Sequence, residues 1–393
     1  MIYLDHHATT PVDARVLEVM LPHLRGDAAN AASRNHRAGR RAADAVEAAR
    51  AQVAALLGAN ARSIVFTSGA TESNNLALKG AVEGARLERE AIHVITQRTE
   101  HKAVLDSARH LERQGTRITR LDVDGQGRVD PEAVEAAIVD DTVLVSIMWT
   151  NNETGAHSDL EAIGRITRRR GVYLHIDASQ GLGYLPLDVD RVGADLVSLT
   201  AHKMYGPKGV GALFLRRRDP RVRLVAQQDG GGQEFGLRGG TLNVPAIAGF
   251  GAAAAILKEC AKEEGARLAR LRTRLFNALA AAEPLLNGPP LHGPRHPGNL
   301  NVAFKGVDAA AVLVDIAHDL AISTGSACST GNTEPSHVLM AMGLGSDRAS
   351  SSFRFGIGRH TDEADIDAAA AAFLTALNGA RSTATEADAP DFW

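Results

Sequence analysis

Six short runs of β-branched and aliphatic residues punctuate the chain up to residue 215: SIVFT (63–67), HVIT (93–96), TVLVSIM (142–148), VYLHID (172–177), DLVSLT (195–200) and GVGALFL (209–215). Nearly continuous apolar character marks strands covered on both faces rather than one. Longer stretches with helical spacing lie among them, at 36–57, 72–83, 101–114, 131–138 and 160–170. Strand–helix alternation of this kind predicts an α/β fold: a mostly parallel sheet flanked by helices. No segment recurs at a fixed spacing of tens of residues, which argues against a solenoid.

After Thr241 the texture changes. A long helical stretch covers about 244–282, and NGPPLHGPRHPGN (287–299) then breaks it with Pro and Gly. Beyond lie a strand (300–304), a helix (308–318), a second helix (335–342), a strand (351–358) and a final helix (362–377). This predicts a smaller α+β domain. The expected division is 13–255 for the large domain, 1–12 together with 256–380 for the small one, and a loose tail at 381–393. The longest apolar run, Val244 to Leu257, is shorter than the roughly 18 residues a membrane span needs, and reads as a core helix. MIYLDHHATT pairs no basic stretch with an apolar one, so no leader is expected.

The net charge of −3 points to neither nucleic acid nor a membrane as a direct partner. Two cysteines build no disulfide framework and fit a cytoplasmic setting. Cys260 sits in a helical stretch without Gly or basic framing and reads as a structural thiol. Cys328 is different. It lies in STGSACSTGN (323–332), among small polar residues and two glycines that free the backbone.

The chemistry gathers at strand ends. Lys203, in TAHKMYGPKG (200–209), follows a buried strand, where an ammonium is costly to desolvate. A desolvated lysine gives up its proton more readily and can form a Schiff base; a surface lysine at a strand end is the plainer reading. Asp177, in HIDASQG (175–181), closes the preceding strand and either caps a helix or meets a cation. In a parallel sheet the two ends face one crevice. A pyridoxal 5'-phosphate (PLP) enzyme needs this pair, a lysine for the aldehyde and a carboxylate to keep the ring nitrogen protonated. TSGATESNN (67–75) is a strand, a Gly turn and a helix start, fit for a phosphate or an ordinary loop. His101 opens a helix and could stack on a flat ring, move a proton or simply cap. Asn152, in TNNETG (150–155), could donate to a phenolate oxygen or only form a turn.

Taken in order, YLDHHATTPVD (3–13), SGATESNN (68–75), TEHKAVL (99–105), NNETG (151–155), HIDASQ (175–180), HKMYGPKG (202–209), GLRGGTLNVPAI (236–247), STGSACS (323–329), EPSHVL (334–339) and FRFGIGRHT (353–361) resemble the cysteine desulfurases of the NifS/IscS type. These are PLP enzymes of fold type I in the class V aminotransferase group, and the likeness spans nearly the whole chain. It implies that Lys203 holds the cofactor and shuttles protons, that Asp177 pairs with the pyridine nitrogen, and that Gln180 and Asn152 reach the phenolic oxygen. It implies that His101 stacks on the ring and acts in acid–base steps. Ala70, Thr71, Thr200 and His202 would hold the phosphate, with Thr241 arriving from a second subunit of a homodimer. Arg354 would clamp the substrate carboxylate, a task suited to a bidentate guanidinium, with Asn30 or Asn152 assisting. Cys328 would take sulfur from L-cysteine as a persulfide, releasing L-alanine, and carry it to an acceptor protein. The acceptor would serve iron–sulfur assembly, tRNA thiolation or DNA phosphorothioation. No resident metal is implied, although Cys328 could ligate a cluster in transit.

A cysteine that must visit a buried cofactor and an exposed acceptor predicts a poorly ordered arm around Cys328. Only a thiolate attacks sulfur well, so its pKa should fall below the free value of about 8.5. The chain departs from the family pattern at Trp149, where His is common; at Phe235, where Arg is usual; at Gly240 and Thr200 in place of Ser; and at NAASRNH (30–36). The alternatives are a selenocysteine lyase or another PLP-dependent aminotransferase-like enzyme. An aminotransferase has no need of Cys328.

Overall fold

A computed structural model of the chain describes residues 1–26, 29–182, 184–218, 221–324 and 334–387. In chain order the first half contains β1 (Ile2–Tyr3), α1 (Ala14–Arg25), α2 (Arg37–Leu56), β2 (Ile64–Thr67), α3 (Ala70–Arg86), β3 (His93–Gln97), α4 (Lys102–Arg113), β4 (Arg117–Leu121), α5 (Pro131–Ala137), β5 (Thr142–Met148), α6 (Leu160–Arg170), β6 (Tyr173–Asp177), α7 (Val189–Val192), β7 (Leu196–Thr200) and β8 (Gly211–Leu215). Then follow α8 (Val244–Ala278), β9 (Leu285–Leu286), β10 (Asn299–Ala303), α9 (Ala309–Asp315), β11 (Leu320–Ala321), α10 (His337–Ala341), α11 (Ser346–Ser350), β12 (Ser352–Gly356) and α12 (Glu363–Ala387).

Seven strands form one sheet in the order β2-β8-β7-β6-β5-β3-β4. β8 alone is reversed, pairing antiparallel with both β2 and β7, while β3–β4, β3–β5, β5–β6 and β6–β7 are parallel. Every residue of β2, β3, β5, β7 and β8 is buried, as their apolar runs require. The edge strand β4, RITRL, escapes an apolar-run reading because two arginines and a threonine leave only Ile118 and Leu121 apolar, and only Leu121 is buried. The fold class is the expected one.

Two apolar clusters flank this sheet, and a separate core collects Leu4, Leu268, Leu271 and Leu275 of α8, β10, β12 and Phe373 of α12. In that third cluster Phe373 packs on Phe304, Phe353 and Phe355 with ring centroids 4.9–5.4 Å apart. The long helix α8 therefore serves both cores. It is long and apolar enough to cross a membrane by length and composition, yet 61% of its most apolar window is buried, and α1 and α2 pack along it. The last helix runs to Ala387, beyond the 362–377 stretch read from spacing and into the segment expected to be loose.

A left-handed turn at 234–236 is held from the core. Glu234 and Phe235 both have positive φ, 47° and 61°. The Glu234 carboxylate, 5% exposed, meets Arg50 through two bonds of 2.7 Å and accepts the Phe66 N–H at 2.6 Å. The Phe235 ring lies under Arg217 and Arg50, 4.2 and 5.3 Å from their guanidinium carbons, which is what phenylalanine does at this position. Removing one member of a buried ion pair leaves the other charge uncompensated. Glu234→Ala should cost about 3–5 kcal/mol of stability, read as a lower denaturation midpoint. Glu234→Gln, which keeps the shape, should cost less.

Candidate active site

Five parallel strands, β2, β3, β5, β6 and β7, point their C-terminal ends toward one cavity of about 520 Å³. Open α/β sheets bind ligands at such an edge, because loops can diverge there between helices on opposite faces. Its lining includes Ala70, Thr71, His101, Asn152, Asp177, Gln180, Thr200, His202 and Lys203. Nine sequence-predicted residues from five separate loops thus meet in one place.

Lys203 stands in a short helical turn just after β7 and is half-buried. Its Nζ donates to the backbone carbonyls of His7 and Ala8, the latter at 2.8 Å. Asp177 ends β6, 2% exposed. Its Oδ2 accepts from Asn74 Nδ2 at 2.8 Å, and its Oδ1 accepts from the Ser179 backbone N–H and hydroxyl at 3.0 and 2.5 Å. Neutral donors hold the carboxylate in place without neutralising it. His101 caps α4, its Nδ1 accepting the Ala103 N–H at 3.1 Å. His101 therefore caps the helix and lines the cavity as well. With Nδ1 occupied as an acceptor, the neutral ring carries its proton on Nε2.

The start of α3 faces the same cavity through Gly69, Ala70 and Thr71, and no side chain caps it. Its leading N–H groups and positive dipole end are a ready anion site. A Cβ added at Gly69 would meet nothing within 4 Å, so open space begins there. His202 is a neutral imidazole beside it: burial first, then the lysines at 203 and 208, lower its pKa to about 4.

Other residues in and beneath the cavity lie inside the quoted motifs without having been singled out there. His7 donates through Nδ1 to Gln180 Oε1 at 3.2 Å, while Gln180 Nε2 donates to the His7 carbonyl at 2.9 Å. Burial pushes the His7 pKa down to about 3, and its Nε2 is buried without a hydrogen-bond partner. Asn74, one helical turn past Ala70, also leaves its Oδ1 without a partner. Below them Glu100 accepts the Met148 N–H at 2.5 Å, and burial together with the Asp177 charge pushes its carboxyl well above the usual range. The spacing from Ala70 to Asn74 could have exposed Asn74; His7 and Glu100 lie within the motifs YLDHHATTPVD and TEHKAVL, and only tertiary structure shows their places in and beneath the cavity.

Other candidates lie elsewhere. Arg354 is 2% exposed in β12, donating to Asp5 Oδ1 at 2.8 Å and to the Asn152 carbonyl at 3.1 Å, with Nε unpartnered. It abuts the cavity through Asn152 without lining it. Asn30 lines a different hollow, with Arg34, Arg50 and Glu234, and its side chain accepts the Ala32 N–H. Thr241 is exposed and away from this chain's own cavity. Cys328 lies outside the described residues, and so does the expectation of a poorly ordered arm. The flanks are described. Ser323 pairs through its backbone with Arg354 and through its hydroxyl with Asp5, while Ser336 donates to Glu153 and His337 bonds the Glu100 carbonyl at 3.0 Å. Cys260 is a half-buried thiol donating to Glu264 at 3.2 Å, and burial raises its pKa.

Histidines dominate the acid response of this fold. Burial lowers His6, His157, His175 and His202 to about 4 and His7 to about 3. Each binds its proton less readily folded than unfolded. Their contribution is intact above about pH 6.5 and is lost as pH falls toward 4. Asp195, raised to about 6 by burial, and Glu100, raised well above the usual range, work in the opposite direction but are outnumbered. Melting temperature should therefore drop steeply between pH 6.5 and 4; a flat profile would contradict the buried neutral rings.

The cavity suits a flat phosphorylated ring: an uncapped helix start at one end, a buried carboxylate and a lysine along it, and unpartnered polar atoms on His7 and Asn74. The Aminotransferase class-V family matches residues 2–369. A cysteine desulfurase IscS from Anaeromyxobacter sp. (strain Fw109-5) is 56% identical over 368 residues, covering 93% of this chain and 90% of that protein. A solved NifS-like protein superposes with a TM-score of 0.89 at 34% identity, over 96% of this chain and 99% of that one. SspA, solved in complex with cysteine, gives 0.80 at 35% identity, over 91% and 99%. Family match, near relative and site geometry agree, and the chain belongs to the class V aminotransferases, within their NifS/IscS-type cysteine desulfurases.

Proposed function

We propose that this protein desulfurates L-cysteine to L-alanine, receives the sulfur on Cys328 as a persulfide, and passes it to an acceptor protein. The enzyme is PLP-dependent. The observation that carries the reading is the convergence of Lys203, Asp177, His101 and the open start of α3 on one cavity.

Bound there, PLP supplies an electron sink that makes the substrate Cα acidic. The chain's own groups supply the rest. The first turn of α3, with Thr71, Thr200 and His202, holds the phosphate. Asp177, fixed by Asn74 and Ser179, presents a carboxylate to the ring nitrogen. His101 stacks and offers Nε2–H as a proton donor, while its Nδ1 is tied to the helix. Lys203, hung from the carbonyls of His7 and Ala8, has its amine where a proton can be taken and returned. Arg354 keeps Nε for a substrate carboxylate, and closer engagement requires loosening its pair with Asp5.

Supporting Cys328 as sulfur acceptor, the described flanks of its segment are tied to Arg354, Glu153 and Glu100, neighbours of Asn152 and His101 at the cavity. The thiolate attacks the substrate sulfur, the substrate C–S bond breaks, and alanine departs after protonation of its carbon skeleton. Thr241, exposed and not lining its own chain's cavity, supports a homodimer in which it serves the partner's site. We assign 13–255 as the cofactor unit, 1–12 with 256–380 as the smaller one, and the cytoplasm as location.

The test uses PLP-loaded protein with L-cysteine and a thiol reductant. Alanine and sulfide should appear in equal amounts. 3-Mercaptopyruvate and an aminated cofactor, without sulfide, would favour an aminotransferase instead.

A further inference from the structure

Arg359 does not line the cavity, yet it gathers a dense set of contacts beside the Lys203 turn. We propose that Arg359 is a positioning residue: acting through Tyr205, it locks the turn that carries Lys203 to the segment leaving β12, the strand of Arg354. The inference rests on the reading that Lys203 holds the cofactor.

Tyr205, two residues past Lys203, is buried with φ of 63°, a conformation that a bulky side chain adopts only when its surroundings enforce it. Three restraints are visible. Its N–H donates to Thr10 Oγ1 at 2.8 Å, its carbonyl accepts the Asp13 N–H at 3.0 Å, and its hydroxyl accepts the Arg359 N–H at 2.5 Å. The Arg359 guanidinium lies over the same ring, 4.1 Å from its centroid.

That guanidinium is itself fixed at both ends. It donates to Asp13 Oδ2 at 2.8 Å and to Glu264 Oε2 at 3.1 Å, all three side chains being largely buried. Asp13 caps α1 and Glu264 belongs to α8, so Arg359 bridges elements of both cores. Tyr184 donates to Glu264 Oε1 at 3.1 Å, which removes slack from the carboxylate. Close approach is built in: a Cβ at Gly358 would fall 2.4 Å from the His6 ring. His6 adjoins His7, whose carbonyl receives the Lys203 amine. Two routes, one through Tyr205 and one through His6–His7, thus run from the Gly358–Arg359 segment to the lysine.

The planar fork explains why arginine serves here. It spans two carboxylates while stacking on a ring, which an ammonium cannot do at once. Loss of the fork should release Tyr205 toward an unstrained conformation and shift the Lys203 amine.

The experiment compares wild type, R359K, R359Q, Y205F and the R359Q/Y205F pair as PLP-loaded proteins. It reads PLP dissociation, the pH midpoint of the lysine-bound cofactor's visible absorbance, and borohydride fixation of PLP on Lys203. R359Q should weaken PLP retention about fivefold or more. It should also move the midpoint by about half a pH unit or more. R359K should lie between, and the double variant should be little worse than R359Q because both act through one ring. A folded R359Q with a lower melting temperature but unchanged retention and midpoint would overturn the proposal, leaving Arg359 a purely structural residue. Should R359Q fail to fold, R359K decides: an ammonium cannot span both carboxylates and stack on the ring, so unchanged retention and midpoint there overturn it equally. Absence of borohydride-fixable PLP on Lys203 in wild type would instead sink the underlying reading, and this inference with it.

Discussion

Lys203→Ala should give a folded protein that neither fixes PLP under borohydride nor consumes L-cysteine, with turnover reduced about a thousandfold or more. The Lys203 amine, placed beside Asp177 at the strand ends, is expected both to hold the aldehyde covalently and to return a proton to carbon. Losing it removes two functions at once, which is why the expected effect is so large. Stability should change little, because the amine reaches the carbonyls of His7 and Ala8 from a half-buried position at the cavity edge, and water can replace it there. Absorbance, mass spectrometry after borohydride, and alanine production check the result together. A Lys203→Ala protein that retained the wild-type colour and turned over cysteine would show that another amine carries the cofactor.

Cys328→Ser separates sulfur transfer from cofactor chemistry. The variant should bind PLP as wild type does, and should react with L-cysteine to change the cofactor spectrum, yet release sulfide about a thousandfold more slowly or worse. Serine is nearly isosteric, but its hydroxyl does not ionise near neutral pH and is a poor nucleophile toward sulfur. The second cysteine offers no rescue. Cys260 is tied to Glu264 and to Arg359, and burial holds its thiol protonated. Alkylation of wild type after brief exposure to L-cysteine should find the extra sulfur on Cys328. Undiminished sulfide release from Cys328→Ser would remove the persulfide from the mechanism.

Both results depend on residues whose importance is legible in the amino-acid pattern itself. Lys203 and Asp177 stand at the ends of successive apolar runs, and period and position suffice to send them to one crevice. The α/β class was legible for the same reason: buried strands leave continuous apolar runs, and the helices between them keep a period near 3.6. Strand β4 was not legible, since an edge strand with two arginines and a threonine among five residues buries too little to leave such a run. The reversal of β8 was hidden too, because strand direction is set by pairing rather than by local pattern. Residues at departures from the family pattern find their reasons only in space. Gly240 has φ of 106°, where serine would be strained, and Trp149 is buried with its ring 6.4 Å from that of His157.

By itself the sequence determined the layered architecture, the strand-end chemistry and the family, because each is written in local pattern: apolar period, turn residues, and motifs of fixed spacing. Tertiary structure alone decided what surrounds that chemistry. It brought His7 and Asn74 to the cavity, set Glu100 beneath it against Met148, paired Arg354 with Asp5, moved Asn30 to another hollow, and tied Arg359 to the strained Tyr205. Those contacts join residues far apart in the chain, and their energies depend on burial and distance, quantities that exist only once the chain has closed on itself.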